Sequence, residues 1–162
     1  MARALIVGCG CSGRELGALL RDRGWEVRGT SRTRAGIAGI EAAGLEAAVA
    51  DPDRPATVLE LVGDASVVVW LLGAARGERE LLEAIHGPRL ERLLEKLVDT
   101  PVRGFLYESA GSVDRQLLET GAAAVSAAGE RWQLPTALLT AERGSGGWGD
   151  RAADSVEALL RR

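Results

Sequence analysis

The sequence predicts an α/β fold: a doubly wound parallel sheet of six strands, packed as the middle of three layers, α/β/α. Three observations predict it. Short apolar runs alternate with helical leucine spacing along all 162 residues. The strand-like runs are apolar without alternation, as in Val67-Val68-Val69-Trp70, which suits parallel strands covered on both faces. Glycines stand where one pattern gives way to the other, at Gly8, Gly24 and Gly44.

The elements follow in order. Ala4 to Val7 reads as a buried strand that stops at Gly8. Leu16, Leu19 and Leu20 mark a helix over Gly13 to Arg23, ended by Gly24 in the C-capping place. Trp25 to Gly29 is the second strand, and Ala35 to Ala43 is a short helix ended by Gly44. Glu46 to Ala50 is a weak third strand. Asp51-Pro52-Asp53 turns the chain into a helix over Pro55 to Leu61.

Ser66 to Leu72 carries the strongest strand pattern. Helical spacing returns at Leu81, Leu82 and Ile85, then at Leu90, Leu93, Leu94 and Leu97. Pro88 between them is either a kink or the first residue of a new helix. Val102 to Tyr107 is a fifth strand. Val113 to Trp132 is helical, with Leu117, Leu118, Val125 and Trp132 as its expected buried side. Thr136 to Thr140 is a sixth strand, Arg143 to Gly149 a glycine-rich loop, and Ala152 to Leu160 an amphipathic closing helix. Six strands each followed by a helix predict one domain over residues 1–162, with strand order 3-2-1-4-5-6.

Composition narrows the chemistry. Apolar residues make up 46% and charged residues 27%, which is enough for a core and ordinary for a globular protein. A formal net charge of −3 argues against a nucleic-acid partner. Lys96, His86, Tyr107 and Phe105 are each the only residue of their kind. A lone histidine forms no multi-histidine metal site, and Cys9 and Cys11 alone make neither a zinc site nor a fold-stapling disulfide. No metal is expected. The N-terminus is too short and too weakly apolar for a signal peptide, and no run reaches the ~18 residues of a membrane span. A cytoplasmic protein without a membrane partner is the expectation.

The segment ALIVGCGCSGREL holds Gly8-Cys9-Gly10-Cys11-Ser12-Gly13, a G-x-G-x-x-G pattern. It follows the first strand and opens the first helix, the context that a Rossmann-type dinucleotide loop requires. Gly8 permits the tight turn, Gly10 lets backbone approach a pyrophosphate, and Gly13 lets helix pack on strand. The helix start then offers N–H groups to the phosphates, with Cys11 and Ser12 among them. About twenty residues on, an NAD site usually places a carboxylate at the end of the second strand. Here stand Thr30-Ser31-Arg32-Thr33-Arg34. Hydroxyls and guanidiniums suit a 2′-phosphate, so NADP is expected over NAD, with Arg32 as the main contact.

With these motifs the chain resembles the short-chain dehydrogenase/reductase superfamily, in its extended epimerase/dehydratase and atypical NmrA-like branches. The resemblance rests on the glycine loop, Ala50-Asp51, Val69 to Gly73, the helix HGPRLERLLEKL, the run RGFLYESAGSV and the strand QLPTALLT. It implies that Asp51 lies near the adenine and that Leu71, Leu72 and Gly73 line the cofactor's middle. It implies Ser109 as a substrate-binding serine beside the nicotinamide, and it leaves a homodimer and a small-molecule substrate open. One departure concerns catalysis. The family's Tyr-x-x-x-Lys pair belongs on the helix after the fifth strand, but LLETGAAAVSAAGERWQ has Ala122 and Ser126 in those places. The usual proton relay is missing.

The expectation is therefore an NADP-binding protein of this class with weak or no standard dehydrogenase activity. Two alternatives stand beside it. One is a working oxidoreductase or epimerase-like enzyme that uses Ser109 with Glu108 or His86. The other is a non-enzymatic dinucleotide sensor or subunit. Further expectations are small. Cys9 and Cys11 fill a tight turn or form a redox-sensitive loop. His86 caps a helix break or reaches the pocket mouth. Trp148 packs on the last helix or belongs to a lid.

Overall fold

A computed structural model describes residues 2–162. Its strands are β1 (Arg3–Val7), β2 (Glu26–Ser31), β3 (Glu46–Val49), β4 (Val67–Trp70), β5 (Gly104–Glu108) and β6 (Thr136–Leu139). Its helices are α1 (Cys11–Asp22), α2 (Arg34–Ala42), α3 (Pro55–Leu59), α4 (Arg79–Ile85), α5 (Pro88–Leu97), α6 (Arg115–Trp132) and α7 (Trp148–Leu159). The strands form one parallel sheet in the order β3-β2-β1-β4-β5-β6, as the sequence predicts. The order reverses between β1 and β4. Folds of this kind open a crevice at the carboxyl ends of those two strands.

Strand alternation divides the core. Ala4, Ile6, Val67, Val69 and Leu106 face α1, α2 and α7, where Leu16, Leu20, Ile40 and Val156 meet them. Leu5, Val7, Val68, Trp70, Phe105 and Tyr107 face α3 to α6, against Val58, Leu90, Leu93 and Val125. Both faces are covered at the centre of the sheet, which is why β4 carries no polar alternation. Pro88 opens α5 rather than kinking one long helix, because its missing N–H costs nothing at a first turn. Gly24 (φ +91°) and Gly44 (φ +81°) follow the ends of α1 and α2 in the left-handed conformation, as expected.

Several boundaries differ from the sequence reading. Trp25 lies outside β2, because its N–H donates to Leu20 O at the end of α1. Gly29 does not end β2. Thr30 and Ser31 continue it, paired with Ala48 and Val49. Gly29 is internal because the Cys9 side chain lies against it, where a Cβ would come within 2.6 Å of Sγ. Helix α1 starts at Cys11, two residues before Gly13, and α3 ends at Leu59 rather than Leu61. On α6 the buried residues are Leu118, Gly121, Val125 and Ala128, while Leu117 and Trp132 are half-buried. Helix α7 begins at Trp148, so the glycine-rich loop is shorter than predicted. Trp148 is 3% exposed and packs with Leu16 and Leu20, which excludes the lid. Among the described residues no helix is long and apolar enough to cross a membrane.

Arginine is used differently at the two ends of the sheet. At the amino end, Arg3 bonds Glu26 (2.9 Å) and Glu46 (2.6 Å), and Arg28 bonds Glu46 (2.9 Å) and Asp64 (3.0 Å). The Arg28 guanidinium holds the Asp64 carboxyl below its ordinary value. At the carboxyl end, Arg14, Arg32 and Arg76 have no carboxylate within ion-pair distance among the described residues.

Candidate functional site

Strand β1 leaves the sheet through Gly8, whose φ of +86° is a left-handed conformation. A Cβ there would stand 2.6 Å from both Leu71 O and Leu72 Cδ2, so only glycine fits. Cys9 turns inward, and its N–H donates to Thr30 O at 3.1 Å. Its side chain is held between Gly13 and Gly29, where added Cβ atoms would come within 3.1 Å and 2.6 Å of Sγ. Burial pushes the Cys9 thiol up to about 11. It stays protonated and unreactive near neutral pH, so the redox-sensitive loop is not supported at this residue. Cys11 is exposed.

Gly10 occupies the N-cap place of α1 with φ −87° and ψ −150°, and no side chain caps the helix. A Cβ on Gly10 would meet nothing within 4 Å. The N–H groups of Cys11, Ser12 and Gly13 have no acceptor among the described residues. The turn thus leaves three donors without acceptors at the positive end of a 12-residue helix.

A cleft of about 310 Å³ lies over this turn. Of the sequence-predicted residues, Gly8, Gly10, Thr30, Ser31, Arg32, Leu71 and Leu72 line it. Cys11, Ser12, Gly13, Asp51, Gly73 and Ser109 do not. Asp51 is engaged in the turn before α3: Oδ1 accepts from Asp53 N (2.9 Å) and its own N–H donates to Thr57 Oγ1 (2.8 Å). Its neighbours Ala50 and Pro52 reach the cleft instead. The Ser31 hydroxyl accepts from Thr33 N (3.2 Å), and Thr33 Oγ1 caps α2 through Gly36 N (3.0 Å). These bonds order the loop that carries Arg32, which is exposed at the cleft's outer end. Arg14, Arg76 and Arg143 also line the cleft, and among the described residues no carboxylate does.

At the inner end stands a feature the sequence reading missed. Glu108 is fully buried at the end of β5. Its Oε1 accepts from Gly73 N (2.8 Å) and Arg143 Nη2 (2.8 Å), and its Oε2 accepts from Arg143 Nε (2.9 Å). Arg143 Nη2 also donates to Leu71 O at 3.1 Å. Both carboxylate oxygens are thus committed to one guanidinium, which ties the segment after β6 to the ends of β4 and β5. The Ser109 hydroxyl donates to Leu139 O at 3.3 Å.

His86 is buried, not at the pocket mouth, and it is the C-cap residue of α4. Its Nδ1 lies 2.7 Å from the Tyr107 hydroxyl and its Nε2 lies 3.0 Å from Leu72 O. A carbonyl only accepts, so Nε2 carries hydrogen, and neutral Nδ1 accepts from the tyrosine. Burial pushes His86 below its ordinary 6.5, and burial, aided by Glu108, pushes Tyr107 above its usual range. A group that resists protonation when folded contributes stability in full above the unfolded value. That contribution falls as the pH drops below about 6.5 toward the lowered folded value. Urea unfolding should show the gap between wild type and His86→Gln shrinking from about pH 7 to about pH 5. A constant gap would count against the neutral pair.

Fold and turn together define a Rossmann-type α/β protein. No family model matches the chain, and no curated protein matches it. Solved structures do. A provisionally named NAD-dependent epimerase/dehydratase from Bacillus halodurans aligns with TM-score 0.73 and 17% identity, over 88% of this chain and 71% of that one. The Bordetella bronchiseptica enzyme WbmH, in complex with NAD+, aligns with TM-score 0.63 and 17% identity, over 86% of this chain and 55% of that one. The Citrobacter sp. triphenylmethane reductase, complexed with NADP(H), aligns with TM-score 0.61 and 16% identity, over 84% of this chain and 48% of that one. The chain spans about half the length of the last two. At these identities the likeness is one of fold.

Proposed function

We propose that this chain binds a dinucleotide, NADP in preference to NAD, in the cleft over the β1–α1 turn. One observation carries the reading: a cleft with arginines and no carboxylate on its described lining, set over a helix start whose N–H groups have no acceptor. The N–H groups of Cys11, Ser12 and Gly13 suit the pyrophosphate, while Arg32 with Ser31 suits a 2′-phosphate. Leu71 and Leu72 supply the apolar wall under the ligand's middle. When bound, NADP is a hydride carrier, and the chain's residues bind and orient it.

The residues that would move protons in this class argue for binding over turnover. Tyr107 donates to His86 inside the core, and Lys96 is exposed on α5. Ala122 and Ser126 on α6 stand where the class places its pair, and Ser126 is exposed. Glu108 has no free oxygen for an acid or base role, since Arg143 and Gly73 hold both. Ser109 keeps its hydroxyl on Leu139 O. Standard dehydrogenase activity should be weak or absent.

Titration calorimetry tests the reading. NADP(H) should bind more tightly than NAD(H). Arg32→Ala should weaken NADP about tenfold or more through the loss of a charge-assisted pair, and leave NAD nearly unchanged. Equal losses for the two cofactors, or tighter binding of NAD(H) by wild type, would remove the NADP assignment.

A further inference from the structure

The crevice of a doubly wound sheet has two halves, one for each nucleotide of a dinucleotide. In this chain the described lining of the cleft lies on one of them. The cleft lining comes from α1, α2 and α4, from the ends of β1, β2, β3 and β4 and the loops after them, and from Arg143. Among the described residues none of β5, β6 or α6 lines it.

The other half is filled by the protein itself. Buried Glu108 and half-buried Arg143 lie across the ends of β4 and β5, held by the bonds to Gly73 N and Leu71 O. Beyond them the backbone of Ala110 and Gly111 rests on Gly73. A Cβ on Gly73 would collide with Ala110 O, and one on Gly111 with Gly73 O. Val113 N–H donates to Gly73 O at 3.0 Å, which pins the segment down. The ion pair and residues 110–113 thus occupy the ends of β4 and β5, and Arg143 also borders the open cleft.

Resting on the NADP reading above, we propose that the chain recognises its ligand through the adenosine 2′,5′-bisphosphate portion alone. The nicotinamide ribose and ring stay outside the crevice. The site is then indifferent to the ligand's redox state.

The test uses wild-type protein and four probes: adenosine 2′,5′-bisphosphate, NADP+, NADPH and nicotinamide mononucleotide. Calorimetry should give dissociation constants for the first three that agree within about twofold, with no binding of the fourth. Saturation-transfer NMR on bound NADP+ should reach the adenine protons and miss the nicotinamide protons. A dinucleotide that binds about tenfold more tightly than the bisphosphate, or saturation of the nicotinamide ring, overturns the proposal and leaves NADP binding intact. No binding of any probe overturns the binding reading itself.

Discussion

Replacing Gly10 with Asp is expected to leave the fold at least as stable and to remove dinucleotide binding. Gly10 is the N-cap of α1, its φ is −87°, and a Cβ there meets nothing within 4 Å. Aspartate is among the preferred N-cap residues, because its carboxylate accepts from the second or third helical N–H. Here those are the N–H groups of Ser12 and Gly13, which have no acceptor among the described residues. Thermal unfolding should show no loss, and a gain of about 0.5 kcal/mol is expected from the cap and from a stiffer unfolded chain. The same carboxylate takes the donors a phosphate needs and adds a like charge. Hydrogen bonds to charged groups contribute about 1.5–3 kcal/mol each, so losing two weakens NADP about a hundredfold or more. The protein thus leaves its first helix uncapped at a cost in stability, the pattern expected where function uses the uncapped groups. A Gly10→Asp variant that is stable and still binds NADP tightly would refute the phosphate cradle.

The fold was legible because its signals are local. All-apolar runs, leucine spacing and glycine ends each lie within one element, and together they predict the strand order that the structure shows. The glycine turn was legible for the same reason. The errors arose where a local signal had a distant cause. Gly29 looks like the end of a strand, but it is a mid-strand glycine that makes room for Cys9. Trp148 lies in a run of glycines, yet its indole is buried against α1 residues far away in sequence. The residues at the cleft's inner end were the least legible. Glu108 and Arg143 are 35 positions apart, and neither alone announces a partner. One clue was present. Glu108 ends an otherwise apolar strand, and a carboxylate buried there requires a cation. The lone arginine in the loop after β6 was the candidate for it.

Removing that cation has the largest expected effect on stability. In Arg143→Ala the Glu108 carboxylate stays fully buried, with Gly73 N–H as its remaining donor. Breaking a buried pair from one side costs about 3–5 kcal/mol, and the 26% exposure of the Arg143 side chain places this case near the lower end. Glu108→Gln should cost less, because the amide oxygen can still accept from Gly73 N–H and no charge is left unpaired. The guanidinium then turns toward water. The double variant Glu108→Gln/Arg143→Ala should be more stable than Arg143→Ala alone, since neutralising the glutamate removes what that change left uncompensated. Urea denaturation of the four proteins in a double-mutant cycle measures the coupling. Additive effects would mean that the pair stabilises nothing. A strong coupling would mean that the pair holds the segment after β6 to the ends of β4 and β5. The double variant also bears on ligand recognition: with the pair gone, NADP+ should gain affinity relative to adenosine 2′,5′-bisphosphate, whereas wild type should hold the two alike.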